Sequence, residues 1–477
     1  MVFSSIFFLF FFLPLFLLAY HIVPKTNYKN WVILIASLFF YAWGAPVFVF
    51  VVVGSVIIDF YIINQMHQSN NKRVRLWLLT ISISINLGLL LYFKYANFFV
   101  DNLNTFLNVL GFSGVGWTEV LLPIGISFYT FQTLTYSIDV YRGTHKPLRN
   151  PFQYLVYILL FPQMIAGPIV RFNEIADQIE SREKFETIEN KLLGFYRFGI
   201  GLAKKVLIAN VMAVEADRVF GMVETDLTTP IAWIGALAYT FQIYYDFSGY
   251  SDMAIGLGKI IGFKFPENFN NPYISKSISE FWRRWHITLG SFMKDYLYIP
   301  LGGNRVDSKL RLYFNLWIVF LLSGLWHGAA WNFVLWGAFH GAFLILDRLF
   351  LLKFFEKIGR LPSIIITFII TIVGWVLFRA ETFEQANTFI IKMFEFDFSS
   401  RNHYLDTEFY TVLIIAIFFA FSTFFKAGLK IEQQVFYAEK YSVINHFFAT
   451  FIFLILFSLS VASITSSGFN PFIYFRF

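Results

Sequence analysis

The chain of 477 residues contains no cysteine. That excludes disulfides, thiolate metal ligands and a cysteine acyl-enzyme. Charge is scarce too: 14% of residues are Asp, Glu, Lys or Arg, where ordinary soluble domains carry about 25%. No polar stretch is long enough to bury a core of its own, so no separate soluble domain is expected. There is no internal repeat and no linker rich in Gly and Ser. Met1 to Pro24 carries no charged side chain. It lacks the basic start and small-residue cleavage site of a signal peptide, and reads as a retained first span.

What fills the chain instead is apolar: 57% of residues are hydrophobic and 21% aromatic, with 64 Phe. That composition belongs in lipid. A span needs roughly 20 apolar residues to cross about 30 Å of hydrocarbon. Candidates are 3–22, 31–46, 47–66, 76–93, 119–140, 152–170, 194–216, 228–248, 311–326, 328–347, 363–380, 408–425 and 444–465. Some of these are expected to be re-entrant, leaving roughly ten to twelve crossings. The fold class expected is an all-α polytopic membrane protein, one domain over 1–477. Gly44-Ala45-Pro46 divides the uncharged run 31–58 and predicts a tight turn or kink.

The net charge of +7 comes from 37 Lys and Arg against 30 Asp and Glu. These basic residues sit in short loops between apolar runs, so they point to membrane topology and not to nucleic acid. Lys25 and Lys29, then Lys72, Arg73 and Arg75, then Arg142, Lys146 and Arg149 each follow an odd-numbered span. By the positive-inside rule these loops face the cytoplasm and the N-terminus faces outward. Arg171 to Lys191, of mixed sign, reads as a solvated helix or loop.

Residues 264–310 break the pattern. They are too polar to span, yet rich in aromatics. Asn270-Asn271-Pro272 predicts a turn. Ser277 with Glu280 three residues on is a capping box that starts a helix, and Pro300 and Gly302-Gly303 end it. On one helix Trp282, His286, Leu289 and Met293 would share a face, with Arg283, Arg284 and Lys294 largely elsewhere. Such a helix either lies in the headgroup region or lines a polar cavity with His286 facing in.

Leu312 to Leu346 is then 35 residues without Asp, Glu, Lys or Arg. As one helix it would exceed about 50 Å, too long for a straight crossing. Ser323-Gly-Leu-Trp-His-Gly-Ala-Ala330 sits at its middle. Its glycines allow a break or close helix packing. His327 therefore lies at a helix joint or a tight turn. A polar group there needs a partner or a water-filled cavity. Imidazole can take a proton from a hydroxyl, or it can simply bond a backbone carbonyl. His340, on the same run, reads as structural. Phe241 to Asp252 places Gln242, Asp246, Ser248 and Asp252 at the end of another apolar run. The two carboxylates do not share a helical face, and ligand binding, helix capping and ion pairing to Arg283 or Arg284 all stay open.

These strings together resemble the membrane-bound O-acyltransferase family. They are most similar to its bacterial polysaccharide-acetylating branch, which includes the membrane subunit of alginate O-acetyltransferase. The carrying stretches are Tyr244-Tyr-Asp-Phe-Ser-Gly-Tyr-Ser-Asp252, Glu280-Phe-Trp-Arg-Arg-Trp-His-Ile-Thr-Leu289, Asp295-Tyr-Leu-Tyr-Ile-Pro-Leu-Gly-Gly-Asn-Arg305 and Gly324-Leu-Trp-His-Gly328. Phe128-Tyr-Thr-Phe-Gln132 and Phe161-Pro-Gln-Met-Ile-Ala-Gly-Pro168 add to them. The matches run from about 120 to 345.

The resemblance implies a ring of tilted helices around a tunnel joining the two membrane faces. It puts the family's central histidine on His327. A second polar position, often Asn in eukaryotic members and His in this branch, falls on His286. Substrate contacts are expected from Trp326, Trp285, Trp282, Arg283, Arg284, Gln242, Asp246, Ser248 and Asp295. Arg283, Arg284 and Lys294 would meet donor phosphates or lipid headgroups. The expected reaction is acyl transfer with no metal and no tightly bound cofactor. Acetyl-CoA or another acyl thioester enters from the cytoplasm, and a polysaccharide hydroxyl receives the group outside, directly or through a periplasmic partner protein. The expected location is the bacterial cytoplasmic (inner) membrane. The Ile299-Pro-Leu-Gly-Gly-Asn-Arg305 string favours acetyl over the D-alanyl group of the teichoic-acid relatives. Two rivals stand: a proton-coupled transporter, which predicts paired repeat halves with interrupted helices, and a scaffold whose histidines are dispensable.

Overall fold

The computed structural model describes residues 1–399, 405–468 and 471. The described residues are helical, with no strand among them. They pack as two compact units, Met1–Thr187 with Gly258–Pro266, and Ile188–Leu257 with Glu267–Phe477.

The first unit contains α1 (Leu13–Ile22), α2 (Thr26–Ala42), α3 (Phe48–Gln68), α4 (Lys72–Leu90), α5 (Ala96–Val109), α6 (Ile126–Arg142), α7 (Pro151–Leu159), α8 (Phe161–Met164) and α9 (Phe172–Glu180). The turn expected at Gly44–Pro46 separates α2 from α3. Asn71 caps α4, its side-chain oxygen accepting from the Arg73 N–H at 2.9 Å. The span expected at 152–170 is instead two short helices, broken at Leu160. Phe161 follows the break and is packed by Phe12 and Phe16, ring centroids 5.4 and 5.0 Å away.

The mixed-sign stretch is less solvated than its composition suggests. One face of α9, Phe172, Ile175, Ala176 and Ile179, is buried. Arg182 is fully buried and donates to Asn30 Oδ1 at 2.7 Å and to the Tyr20 hydroxyl at 3.0 Å. Its guanidinium fork lets one cation serve several acceptors at once. Two basic loops are tied to this stretch, Lys29 to Glu186 and Arg149 to Glu180 at 3.0 Å, while Arg75 donates to the Tyr141 carbonyl at the end of α6 at 2.8 Å.

The second unit contains α10 (Ile188–Ala203), α11 (Asn210–Phe220), α12 (Thr229–Ile260), α13 (Ile278–Arg284), α14 (Ile287–Met293), α15 (Lys309–His327), α16 (Trp331–Leu346), α17 (Leu352–Ile358), α18 (Arg360–Arg379), α19 (Phe383–Phe394), α20 (Thr407–Phe421), α21 (Lys426–Phe436) and α22 (Val443–Ser466). Helices α10 and α12 cross with backbones in contact. A Cβ on Gly201 would lie 2.7 Å from the Met253 nitrogen, and one on Gly249 2.7 Å from the Gly201 oxygen. This closeness lets cations of α10 and of the π turn after it reach Asp252 of α12, and lets Arg197 reach Glu267 beyond it. Arg197 meets Asp252 at 2.6 Å and Glu267 at 2.6 Å, and Lys204 meets Asp252 at 2.7 Å.

Seven described helices are long and apolar enough to cross a bilayer, by length and composition: Phe48–Gln68, Lys72–Val109, Lys309–His327, Trp331–Ile358, Arg360–Arg379, Thr407–Phe424 and Val443–Ser466. Large apolar side chains face outward on them, as Phe447, Phe451 and Leu454 do on α22. The other expected spans are shorter, interrupted by π turns, or more polar. The chain is an all-α, multi-pass membrane protein.

Candidate active site

Ser277 caps α13 as its sequence predicts, accepting from the Glu280 N–H at 3.1 Å. The helix then stops after about two turns. Trp285 is extended, His286 takes a left-handed conformation (φ 46°, ψ 53°), and α14 restarts at Ile287. The single face expected to join Trp282, His286, Leu289 and Met293 is therefore cut between its first two members. The reason is the loop before it. The Asn270 N–H donates to the Arg284 carbonyl at 2.9 Å, and the Ile287 N–H donates to the Asn268 carbonyl at 2.9 Å. Loop and break thus satisfy peptide groups that an unbroken helix would have paired internally.

His286 is completely buried. Its Nδ1 lies 3.1 Å from Asn268 Oδ1, and its Nε2 has no hydrogen-bond partner among the described residues. The ring packs edge-on against Phe247 of α12 at 4.6 Å and against Trp326 at 6.2 Å. Trp326 and His327 close α15. His327 is half-buried, its ring 4.8 Å from Trp326, 5.1 Å from Trp336 and 5.3 Å from Phe378. The sequence left a joint or a turn open for His327, and the structure shows a joint: α15 ends on it, Gly328 is extended, and α16 starts at Trp331. His286 and His327 thus flank one indole, Trp326. The indole Nε1 of Trp336, beside His327, is a buried donor without an acceptor among the described residues.

The other expected residues divide. Trp285 is buried against Phe281, Phe269 and Trp375. Trp282 donates from Nε1 to His340 Nδ1 at 3.3 Å, and His340 is fully buried. On α12, Gln242 and Ser248 are buried, with Gln242 Oε1 and the Ser248 hydroxyl unpartnered among the described residues. Asp246 pairs with Lys205 at 2.9 Å. The pairing of α12 carboxylates with Arg283 or Arg284, left open above, does not form: α10 and the π turn after it supply the cations for Asp246 and Asp252. Arg284 bonds Glu280 at 3.0 Å and the Asn270 carbonyl at 3.1 Å, bracing the break. Arg283 is exposed. Asp295 lies in the π turn Lys294–Tyr298, beyond the end of α14. Neither joins the ring chain around the histidines. Asn268 and Trp336 went unread in the sequence. For Asn268 a signal existed in its place two residues before a predicted turn; for Trp336 none distinguished it from other tryptophans on an apolar run.

Burial pushes the His286 imidazole down to about 3, against an ordinary value near 6.5. This residue lies outside the seven apolar helices. An unfolded chain would bind a proton here below about 6.5, and the folded one would not. The stability it contributes is complete above that pH and is lost as pH falls from about 6.5 toward 3. The thermal midpoint in detergent should fall between pH 7 and pH 5. His286→Asn should remove part of that slope, and equal slopes in both proteins would contradict the assignment.

The MBOAT, membrane-bound O-acyltransferase family, model matches residues 148–379. The chain is 39% identical to a protein of Azotobacter vinelandii named probable alginate O-acetylase AlgI, over the whole of both chains. It is 39% identical to the peptidoglycan O-acetyltransferase of Helicobacter pylori, over 81% of this chain and 78% of that one. It is 29% identical to the teichoic acid D-alanyltransferase of Bacillus subtilis, over 55% of this chain and 70% of the other.

Proposed function

The chain belongs to the membrane-bound O-acyltransferase family and is a membrane O-acyltransferase, and we propose that it moves an acetyl group from a cytoplasmic thioester to an extracytoplasmic polysaccharide. The observation that carries this reading is the pairing of two histidines across one indole, with an unpartnered imidazole nitrogen on one and an unpartnered indole N–H beside the other. The residues 1–477 act as one acyltransferase. The polysaccharide hydroxyl receives the group directly or through a periplasmic partner protein.

In this mechanism the acceptor hydroxyl attacks the thioester carbonyl carbon. His327 takes the hydroxyl proton as general base. The carbonyl oxygen becomes an oxyanion, and Trp336 Nε1 supplies a preorganised donor for it. Collapse of the tetrahedral intermediate expels the thiolate, which leaves protonated by the imidazolium of His327. His286 positions substrate against Trp326. No metal or resident cofactor takes part; acetyl-CoA or another acyl thioester is the donor, and Gln242, Asp246 and Ser248 of α12 offer polar contacts along its path. The protein resides in the bacterial inner membrane. The tying of Lys29 and Arg149 to one loop, at Glu186 and Glu180, supports a cytoplasmic face there and an outward N-terminus.

The test is turnover of isotopically labelled acetyl-CoA by purified protein in liposomes. Release of CoA with transfer or loss of the label is the expected result. Turnover with D-alanyl thioester and not acetyl thioester would move the reading to D-alanyl transfer. Proton flux without thioester turnover would replace it with a transporter.

A further inference from the structure

We infer that Asn268 is a positioning residue that fixes the tautomer of His286, so that Nε2 accepts a hydrogen bond from substrate and cannot donate one. This rests on the reading that substrate meets His286, and it assigns that residue to holding an O–H or N–H group of substrate, leaving the oxyanion to other donors.

The orientation of the Asn268 amide follows from its neighbours. The backbone N–H and the hydroxyl of Thr288 both approach one side-chain atom of Asn268, at 3.3 and 2.9 Å. A backbone N–H can only donate, so that atom is the oxygen. The other side-chain atom is then the nitrogen, which donates to Ser251 Oγ at 3.1 Å. The same oxygen faces His286 Nδ1 at 3.1 Å. An amide oxygen cannot donate, so the proton of this contact sits on Nδ1. In a neutral imidazole the second nitrogen is then a bare acceptor. That nitrogen, Nε2, is the one that has no partner among the described residues and is wholly buried. The main chain of Asn268 adds a second hold, accepting from the Ile287 N–H at 2.9 Å at the point where the helix breaks. Loop 268–270 therefore sets both the backbone and the ring of His286. The groups seen against the ring among the described residues, Phe247, Trp326 and Asn268, are uncharged.

Two readouts test this on the full chain in lipid. The first is nitrogen-15 NMR of histidine-labelled protein, with the His286 signals identified by their loss in His286→Asn. A protonated Nδ1 and a bare Nε2 are expected; a protonated Nε2 would overturn the inference whatever the activity. The second is the pH profile of acetyl transfer. Asn268→Ala keeps the main-chain hold but frees the ring, and should lose on the order of 10- to 100-fold in kcat/KM. Asn268→Asp keeps an acceptor at Nδ1 and should recover part of that loss. Its carboxylate favours the imidazolium, so the acid limb should move to higher pH. Equal losses in both variants, with unmoved acid limbs, would also overturn it. The expected NMR pattern together with full activity in His286→Asn would instead defeat the reading of His286 as a substrate contact, leaving the tautomer assignment standing.

Discussion

His327→Ala is expected to lose about 10²- to 10⁴-fold in acetyl transfer, the usual worth of a general base, while the protein still folds. Ring packing supports the second half of that expectation. Trp326, Trp336 and Phe378 surround the imidazole, but they also pack on one another, as Trp336 and Phe378 do at 5.0 Å. Removing a half-buried ring leaves that wall standing. His327→Gln fills more of the space without a base and should be equally inactive. The measurement is initial rate with acetyl-CoA, beside size-exclusion elution and thermal midpoint in detergent. A variant that elutes and melts like the parent but keeps most of its rate would remove His327 from the chemistry. A scaffold whose histidines are dispensable predicts that outcome.

The second large effect is on the joint itself. Helices α15 and α16 meet through glycine. A Cβ on Gly324 would overlap the Phe333 carbonyl oxygen and lie 3.2 Å from the Gly337 Cα; one on Gly337 would overlap the Phe320 carbonyl oxygen. Both obstacles are helix backbone, which cannot turn aside as a side-chain tip can. Gly324→Ala and Gly337→Ala must therefore push two helices apart. Overpacking of this kind costs typically about 1–3 kcal/mol and occasionally more. Each variant should lower the thermal midpoint and the folded yield. Gly324→Ala should also depress activity, because His327 is on the next turn of the same helix. Gly54 of α3 is the control: a Cβ there meets nothing within 4 Å. Gly54→Ala should raise stability by roughly 0.5–1 kcal/mol through helix propensity. If Gly324→Ala and Gly54→Ala melt alike, close backbone approach does not hold the hairpin together.

Much of this was legible in the sequence, and the boundary has physical causes. Uncharged runs and the turns between them marked most helices, because solvent preference is written residue by residue. The split of 312–346 at Gly324–Gly328 was legible for the same reason, since a helix that long outruns the bilayer. Ser277 announced the start of α13. The break at His286 was hidden, because nothing in Trp-Arg-Arg-Trp-His-Ile-Thr opposes a helix. It forms through loop 268–270, whose hydrogen bonds to Arg284 and Ile287 are tertiary. The partners of Asp246 and Asp252 stayed open on the same ground. Arg283 and Arg284 were near in the strings, but a glycine crossing brought up Arg197, Lys204 and Lys205 from another helix. Pattern reports which residues want shelter; it says less about which neighbour provides it.

The left-handed backbone at His286 limits what that position can hold before any chemistry is considered. At φ 46° a β-branched or bulky side chain is strained, whereas Asn, Asp and His are several-fold enriched among the non-glycine residues found there. Asn and His share the tolerance for this conformation and the ability to accept a hydrogen bond. The helix break thus draws up a short vocabulary of permitted residues at this position, whatever the substrate then asks of it. Mutagenesis here should respect that vocabulary. His286→Asn or His286→Gly deletes the imidazole and leaves the chain path intact, while His286→Val would confound lost chemistry with a distorted joint.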